Sequence, residues 1–140
     1  MTELIPSMTI LIAENSPSQQ AMLVAACRRD FPDAMILGSS TLRETLELAS
    51  CEHPDALIID LALNDSTRES TIAAIPALRT IAKRVIVWSE RPMTERDLHA
   101  TQADGWIGKP MTTSVMDNTE LVPDLIAMLA PDYARKMITP

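Results

Sequence analysis

Short apolar runs recur along the chain at residues 8–13 (MTILIA), 34–38 (AMILG), 56–60 (ALIID), 84–89 (RVIVWS) and 105–108 (GWIG). They are rich in Ile, Leu and Val and mostly lack polar–apolar alternation. Runs of this kind suit strands covered on both faces, as in a parallel sheet.

The segments between them read as helices with legible ends. Ser16 followed by Pro17 supplies an N-cap and a first-turn proline for a helix through about Phe31. Residues 41–50 carry Leu42, Leu46 and Ala49 on one face. Thr94 with Asp97 forms a capping-box variant that opens a helix to about Ala103, and Gly105 fits its C-terminal stop. A last helix is expected over residues 118–130, with Leu121, Leu125, Met128 and Leu129 inward and Pro123 in its first turns. Between Asp60 and the fourth run, Ile72, Ile75, Leu78 and Ile81 keep near-helical spacing, but Pro76 falls among them. An interior proline costs ~3 kcal/mol, so the expectation is a helix starting near Ile75 or a kinked one.

Alternating strands and helices imply right-handed crossovers and a doubly wound α/β sheet. A length of 140 residues suits one domain. The expected domain covers residues 8–130, with an N-terminal extension at 1–7 and a tail or linker stub at 131–140. The balance of 12 basic to 19 acidic residues, net charge −7, lacks the basic footprint of a nucleic-acid binder. Cys27 and Cys51 form no CxxC pair and read as free thiols inside helices, which fits a reducing cytosol. No apolar run is long enough for a membrane span, and the first residues lack a signal-peptide pattern, so the expected location is the cytoplasm. His53 and His99 have no ligand spacing for zinc and read as solvated. Lys83-Arg84 and Arg91 with Arg96 read as parts of a solvated face.

In a doubly wound sheet, ligands bind beyond the carboxyl ends of the strands. Those ends carry the candidate chemistry. The first strand delivers Glu14 and Asn15, the third Asp60, the fourth Ser89, and the fifth Lys109 followed by Pro110. Oxygen-rich side chains from the first and third strands could converge on a hard cation such as Mg²⁺. A hydroxyl and an ammonium on the other side of Asp60 suit phosphoryl oxygens. A carboxylate so placed can act as a nucleophile toward phosphorus.

Four stretches, in this order and spacing, carry a family resemblance: ILIAEN, PDALIIDLAL, VIVWS and ADGWIGKP. From about Met8 to Ala130 the chain resembles a response-regulator receiver domain. The resemblance implies a flavodoxin-like sheet of order 2-1-3-4-5 with five helices. It implies that Asp60 accepts a phosphoryl group from a histidine kinase or phosphotransferase. Glu14, Asn15, Asp60 and the backbone carbonyl of Ala62 would hold Mg²⁺. Ser89 would contact the phosphoryl group and Lys109 would pair with it, while Ser89 and Trp106 would couple it to an output face. The chain would be a signalling module rather than an enzyme, lose the phosphoryl group by its own hydrolysis, and act on an output protein or effector domain, with a homodimer as one form.

The sequence also departs from the pattern. Asn15 stands where most receivers have Asp, which removes a charge from the metal site. Glu90 follows Ser89 where a small residue is usual, and Asn64 replaces a common proline. These departures motivate a second reading, a pseudo-receiver acting as a phosphorylation-independent interaction module. A flavin carrier or an enzyme on the same sheet is disfavoured, because the first loop, AENSPSQQ, has no glycine-rich phosphate cradle.

Overall fold

The computed structural model describes residues 8–109. Within them the elements run β1 (Thr9–Ala13), α1 (Pro17–Asp30), β2 (Met35–Ser39), α2 (Leu42–Glu52), β3 (Ala56–Asp60), α3 (Arg68–Leu78), β4 (Arg84–Ser89), α4 (Glu95–Thr101) and β5 (Gly105–Gly108). The strands form one parallel sheet of order β2-β1-β3-β4-β5. This is the flavodoxin-like α/β arrangement. The fifth helix expected over 118–130, Pro110 and both terminal segments lie outside the described residues.

The strands run without alternation because both faces are covered. Ile10, Ile12, Ala56, Ile58, Ile86 and Trp88 pack on one side with Met22, Leu23, Cys27 and Phe31. Leu11, Ala13, Leu57, Ile59, Val85 and Val87 pack on the other with Ala49, Ile75, Leu78 and Met93. Full burial of side chains of this size contributes roughly 1.5–3 kcal/mol each, which makes the two-sided strands the main source of stability.

Helix ends follow the sequence signals. Ser16 Oγ accepts from the Gln19 N–H and precedes Pro17. Thr41 Oγ1 accepts from the Glu44 N–H at 3.0 Å. Thr67 with Ser70, and Thr94 with Asp97, close reciprocal capping boxes on α3 and α4. Two expectations are corrected. Helix α3 starts at Arg68, well before Ile75, and carries Pro76 inside its last turn. The Thr67 cap and the buried Thr71, Ile75 and Leu78 fix the helix before the proline is reached, so only its final turn bears the missing N–H. Helix α4 ends at Thr101 on Gln102, whose φ of 56° gives the left-handed cap; Gly105 begins β5 instead of closing the helix.

The face of α2 holds more than leucines and alanine. Ala49 is buried and Leu42 and Leu46 pack partly against the core, but Thr45 is also fully buried. Its hydroxyl donates to Thr41 O and lies 2.7 Å from Ser39 Oγ, so the polar group is satisfied. Cys27 is buried in α1 and Cys51 exposed on α2, both as free thiols. His53 and His99 are exposed. No helix among the described residues is long and apolar enough to cross a membrane.

Candidate functional site

Strand register builds the site. Ala13 pairs with Ile59, and Asp60 pairs with Trp88. Glu14, one residue past β1, therefore falls beside Asp60 with Trp88 on its far side. All three continue the row of Ile12, Ile58 and Ile86 on the α1 face, because side chains alternate with period two. The indole of Trp88 reaches across this row and donates from Nε1 to Glu14 Oε1 at 3.2 Å. Glu14 Oε2 accepts from the Asn15 N–H at 2.7 Å.

Lys109 closes the row from the end of β5. Its N–H donates to Ser89 O, continuing the parallel ladder, and this aims the side chain back over the sheet edge. Nζ lies 2.8 Å from Glu14 Oε1 and 2.8 Å from Asp60 Oδ2. The three charged side chains are 5 % exposed or less. Asp60 Oδ1 accepts from the Ala62 N–H at 3.0 Å, so each Asp60 oxygen has one partner and a spare lone pair. Asp60 is thus a buried carboxylate that is paired and hydrogen-bonded, the condition under which burial is tolerable.

One ammonium faces two carboxylates. Burial pushes Glu14 upward first, the adjacent Asp60 pushes it further, and Lys109 pulls it part of the way back, leaving its pKa at about 7. Glu14 is the inner acid of the pair, walled in by Trp88.

Asp60 faces a cleft of about 310 Å³. Asn15 and Ala62 line it beside Asp60, Lys109 and Ser89 stand on its walls, and Arg68, Glu90 and Arg91 complete the lining. Glu14 is absent from that lining. Of the residues expected at the site, Asn15, Asp60, Ala62, Ser89 and Lys109 meet at the cleft, and Glu14 lies behind it.

Arg68 was not among the expected residues. It occupies the first position of α3, and its Nη1 donates to Ser89 Oγ at 3.2 Å while Nη2 pairs with Asp97 Oδ2 of α4 at 3.1 Å. Ser89 Oγ also accepts from the Arg91 N–H at 3.3 Å. Two donors thus occupy its lone pairs, and its own proton is left for an acceptor in the cleft. Partial burial pushes Asp97 upward, but hydrogen bonds from Arg68 and Thr94 and the Arg68 charge outweigh it, so Asp97 stays below the usual carboxylate range. A signal for Arg68 existed in the sequence: Thr67-x-x-Ser70 marks the start of a helix after the Asp60 strand, so its first residue had to face the same edge.

The expected Mg²⁺ set meets the structure unevenly. Mg²⁺ favours hard oxygen donors, carboxylates foremost. The cleft is lined by the Asp60 carboxylate, Asn15, Ala62 and, on its far rim, Glu90, whereas Glu14 directs both oxygens to Lys109, Trp88 and the Asn15 backbone. Among the described residues no three His, Cys, Asp or Glu side chains are grouped to hold a metal ion. With Arg68, Arg91 and Lys109 also at the cleft, this donor set does not fit a tightly held divalent cation.

Trp106 pairs with Val87 and packs partly buried against the α2–α3 side of the core. Its indole N–H is buried without a partner among the described residues.

No protein-family model and no curated protein sequence matches the chain. Solved structures do. The response-regulator domain of Thermotoga maritima CheB is 18 % identical with a TM-score of 0.71, the match covering 96 % of this chain and 99 % of that one. The phosphorylated cyanobacterial phytochrome response regulator RcpA is 18 % identical with a TM-score of 0.68, covering 89 % and 94 %. The Mn²⁺-bound response regulator Rcp1 is 16 % identical with a TM-score of 0.66, covering 86 % and 92 %. The fold is that of response-regulator receiver domains.

Proposed function

We propose that this chain is a phosphoacceptor receiver of a two-component or phosphorelay system, with Asp60 as acceptor. The observation that carries the proposal is Lys109 Nζ at 2.8 Å from Asp60 Oδ2 at the carboxyl edge of the sheet, with the Ser89 hydroxyl on the same cleft. A carboxylate oxygen of Asp60 attacks the phosphorus of a phosphohistidine on a histidine kinase or phosphotransferase. The new O–P bond forms as the P–N bond breaks, and the electron pair leaves with the imidazole. Lys109 then transfers its attention from the carboxylate charge to the phosphoryl oxygens, and Ser89 donates its free proton to one of them. Water later cleaves the acyl phosphate and restores Asp60.

The added charge, roughly one to two units, is what a switch would read. Ser89 ends β4, and Val87 of the same strand pairs with Trp106. A shift at Ser89 would pass to the β4–β5 edge and α4, changing affinity for an output protein or effector domain in the cytoplasm. RcpA is a phosphorylated response regulator and Rcp1 a Mn²⁺-bound one, which supports phosphoacceptor chemistry on this fold. The donor set of this cleft gives the Mg²⁺ expectation less support, and no step above passes through a metal.

Incubation with acetyl phosphate and Mg²⁺, read by intact mass, tests the proposal. A single phosphoryl gain that disappears in Asp60→Asn supports it; no gain in the folded protein, with acetyl phosphate and with a partner kinase, counts against it. That outcome would favour the pseudo-receiver, an interaction module independent of phosphorylation. Asn15 and Glu90, both on the lining of the cleft, are what favour this second reading.

A further inference from the structure

We propose that Arg68 supplies positive charge to the phosphoryl group beside Lys109, so that phosphorylation of Asp60 proceeds without a divalent cation. The inference rests on the receiver reading and goes beyond it. Transfer to a carboxylate brings negative oxygens against a negative nucleophile, and some fixed positive charge must offset them. Lys109 alone is already shared between Glu14 and Asp60. The oxygen donors that would recruit an external cation are depleted, because Asn15 is uncharged and Glu14 is turned behind the cleft.

Arg68 has the properties the missing charge requires. It lines the same cleft as Asp60 and Lys109. Its charge is permanent, and its planar fork matches phosphoryl oxygens two at a time. Its side chain is 21 % exposed, partly desolvated yet reachable. Asp97, Ser89 and the Met93 sulfur each take one N–H, which leaves two of the five guanidinium donors, enough for one forked contact. Asp97 holds the guanidinium in position from α4, and the contact with Ser89 brings it beside the hydroxyl that would meet the same phosphoryl group. Engagement of a phosphoryl group would draw Arg68 off Asp97, so the side chain also ties the cleft to the first turn of α4.

With acetyl phosphate the step balances: an Asp60 oxygen bonds to phosphorus, the P–O bond to the acetyl group breaks, and acetate leaves with the electron pair. The test is the initial rate of this labelling, by intact mass, in EDTA and in Mg²⁺, for the wild type, Arg68→Gln and Arg68→Lys. The proposal predicts wild-type labelling in EDTA within a few-fold of the rate in Mg²⁺. It predicts a loss of tenfold or more in Arg68→Gln, and a smaller loss in Arg68→Lys, which keeps charge but not the fork. Labelling of the wild type only in Mg²⁺ would overturn the role of Arg68 and leave the receiver reading standing. Equal EDTA rates for wild type and a folded Arg68→Gln would overturn it as well. No labelling in either buffer would overturn the cation-independent role of Arg68, and its persistence with a partner kinase would sink the receiver reading too. The wild-type comparison needs no variant, so it decides even if Arg68→Gln fails to fold.

Discussion

Replacing Lys109 with Met removes the ammonium and keeps most of the aliphatic stem. Two carboxylates then face each other under the indole of Trp88 with no cation between them. At 2.8 Å each ion pair carries a Coulomb attraction of about 6 kcal/mol at an effective dielectric of 20, before desolvation is subtracted. Breaking a buried pair by removing one partner typically costs 3–5 kcal/mol, and that is the expected loss at pH 8. The loss should shrink at lower pH. Lys109 is the group that pulls the Glu14 pKa down; without it Glu14 rises beyond about 7 and keeps its proton over a wider range. At pH 6 Glu14 keeps its proton with or without Lys109, whereas at pH 8 the wild type has largely released it and the variant must still hold it or bear the charge unpaired, so the loss is larger at pH 8. Urea unfolding at both pH values would measure this, and Glu14→Gln added to Lys109→Met should recover part of the loss at pH 8. A destabilisation below about 1 kcal/mol at pH 8, or one independent of pH, would refute the picture of Lys109 as the neutralising member of a buried triad.

Two further outcomes are expected. Glu14 has a folded pKa raised from 4.5 to about 7, so the native state keeps a proton that the unfolded chain loses first. Its contribution is fully present below pH 4.5 and lost as pH rises through about 7, by at most roughly 3 kcal/mol at 1.36 kcal/mol per unit; stability curves from pH 5 to 8 should fall in the wild type relative to Glu14→Gln, and parallel curves would contradict the shift. Thr45→Val leaves the Ser39 hydroxyl buried without its 2.7 Å partner and should cost about 1–3 kcal/mol in chemical denaturation, most of it recovered by adding Ser39→Ala.

The sheet was legible because every strand is a short apolar run, and both covered faces erase alternation in the same way along all of them. The caps at Ser16 and Thr94 were legible because they are local hydrogen bonds between residues three apart. Of the two forms Pro76 suggested for α3, the late start near Ile75 was the wrong one. The Thr67–Ser70 box of the helix and its buried Thr71 anchor the first turns, so the proline disturbs only the last one. The edge residues Asn15, Asp60, Ser89 and Lys109 could be read from strand ends alone, since parallel topology gathers them at one side. Glu14 could not be resolved in this way. Its inward placement depends on Trp88 sitting in register with Asp60 and reaching over it, a pairing that no local pattern announces. For Arg68 the Thr67–Ser70 box could have given its place at the edge but not its partners, since Ser89 and Asp97 lie 21 and 29 residues away.

The central claim is that Asp60 is the atom-level acceptor. Its most direct test is residue mapping of the labelled protein, by borohydride reduction of the acyl phosphate and peptide sequencing by mass spectrometry. The account predicts conversion to homoserine at position 60, with none in protein never exposed to the phosphodonor. Conversion at another carboxylate, with Asp60 intact, would contradict it.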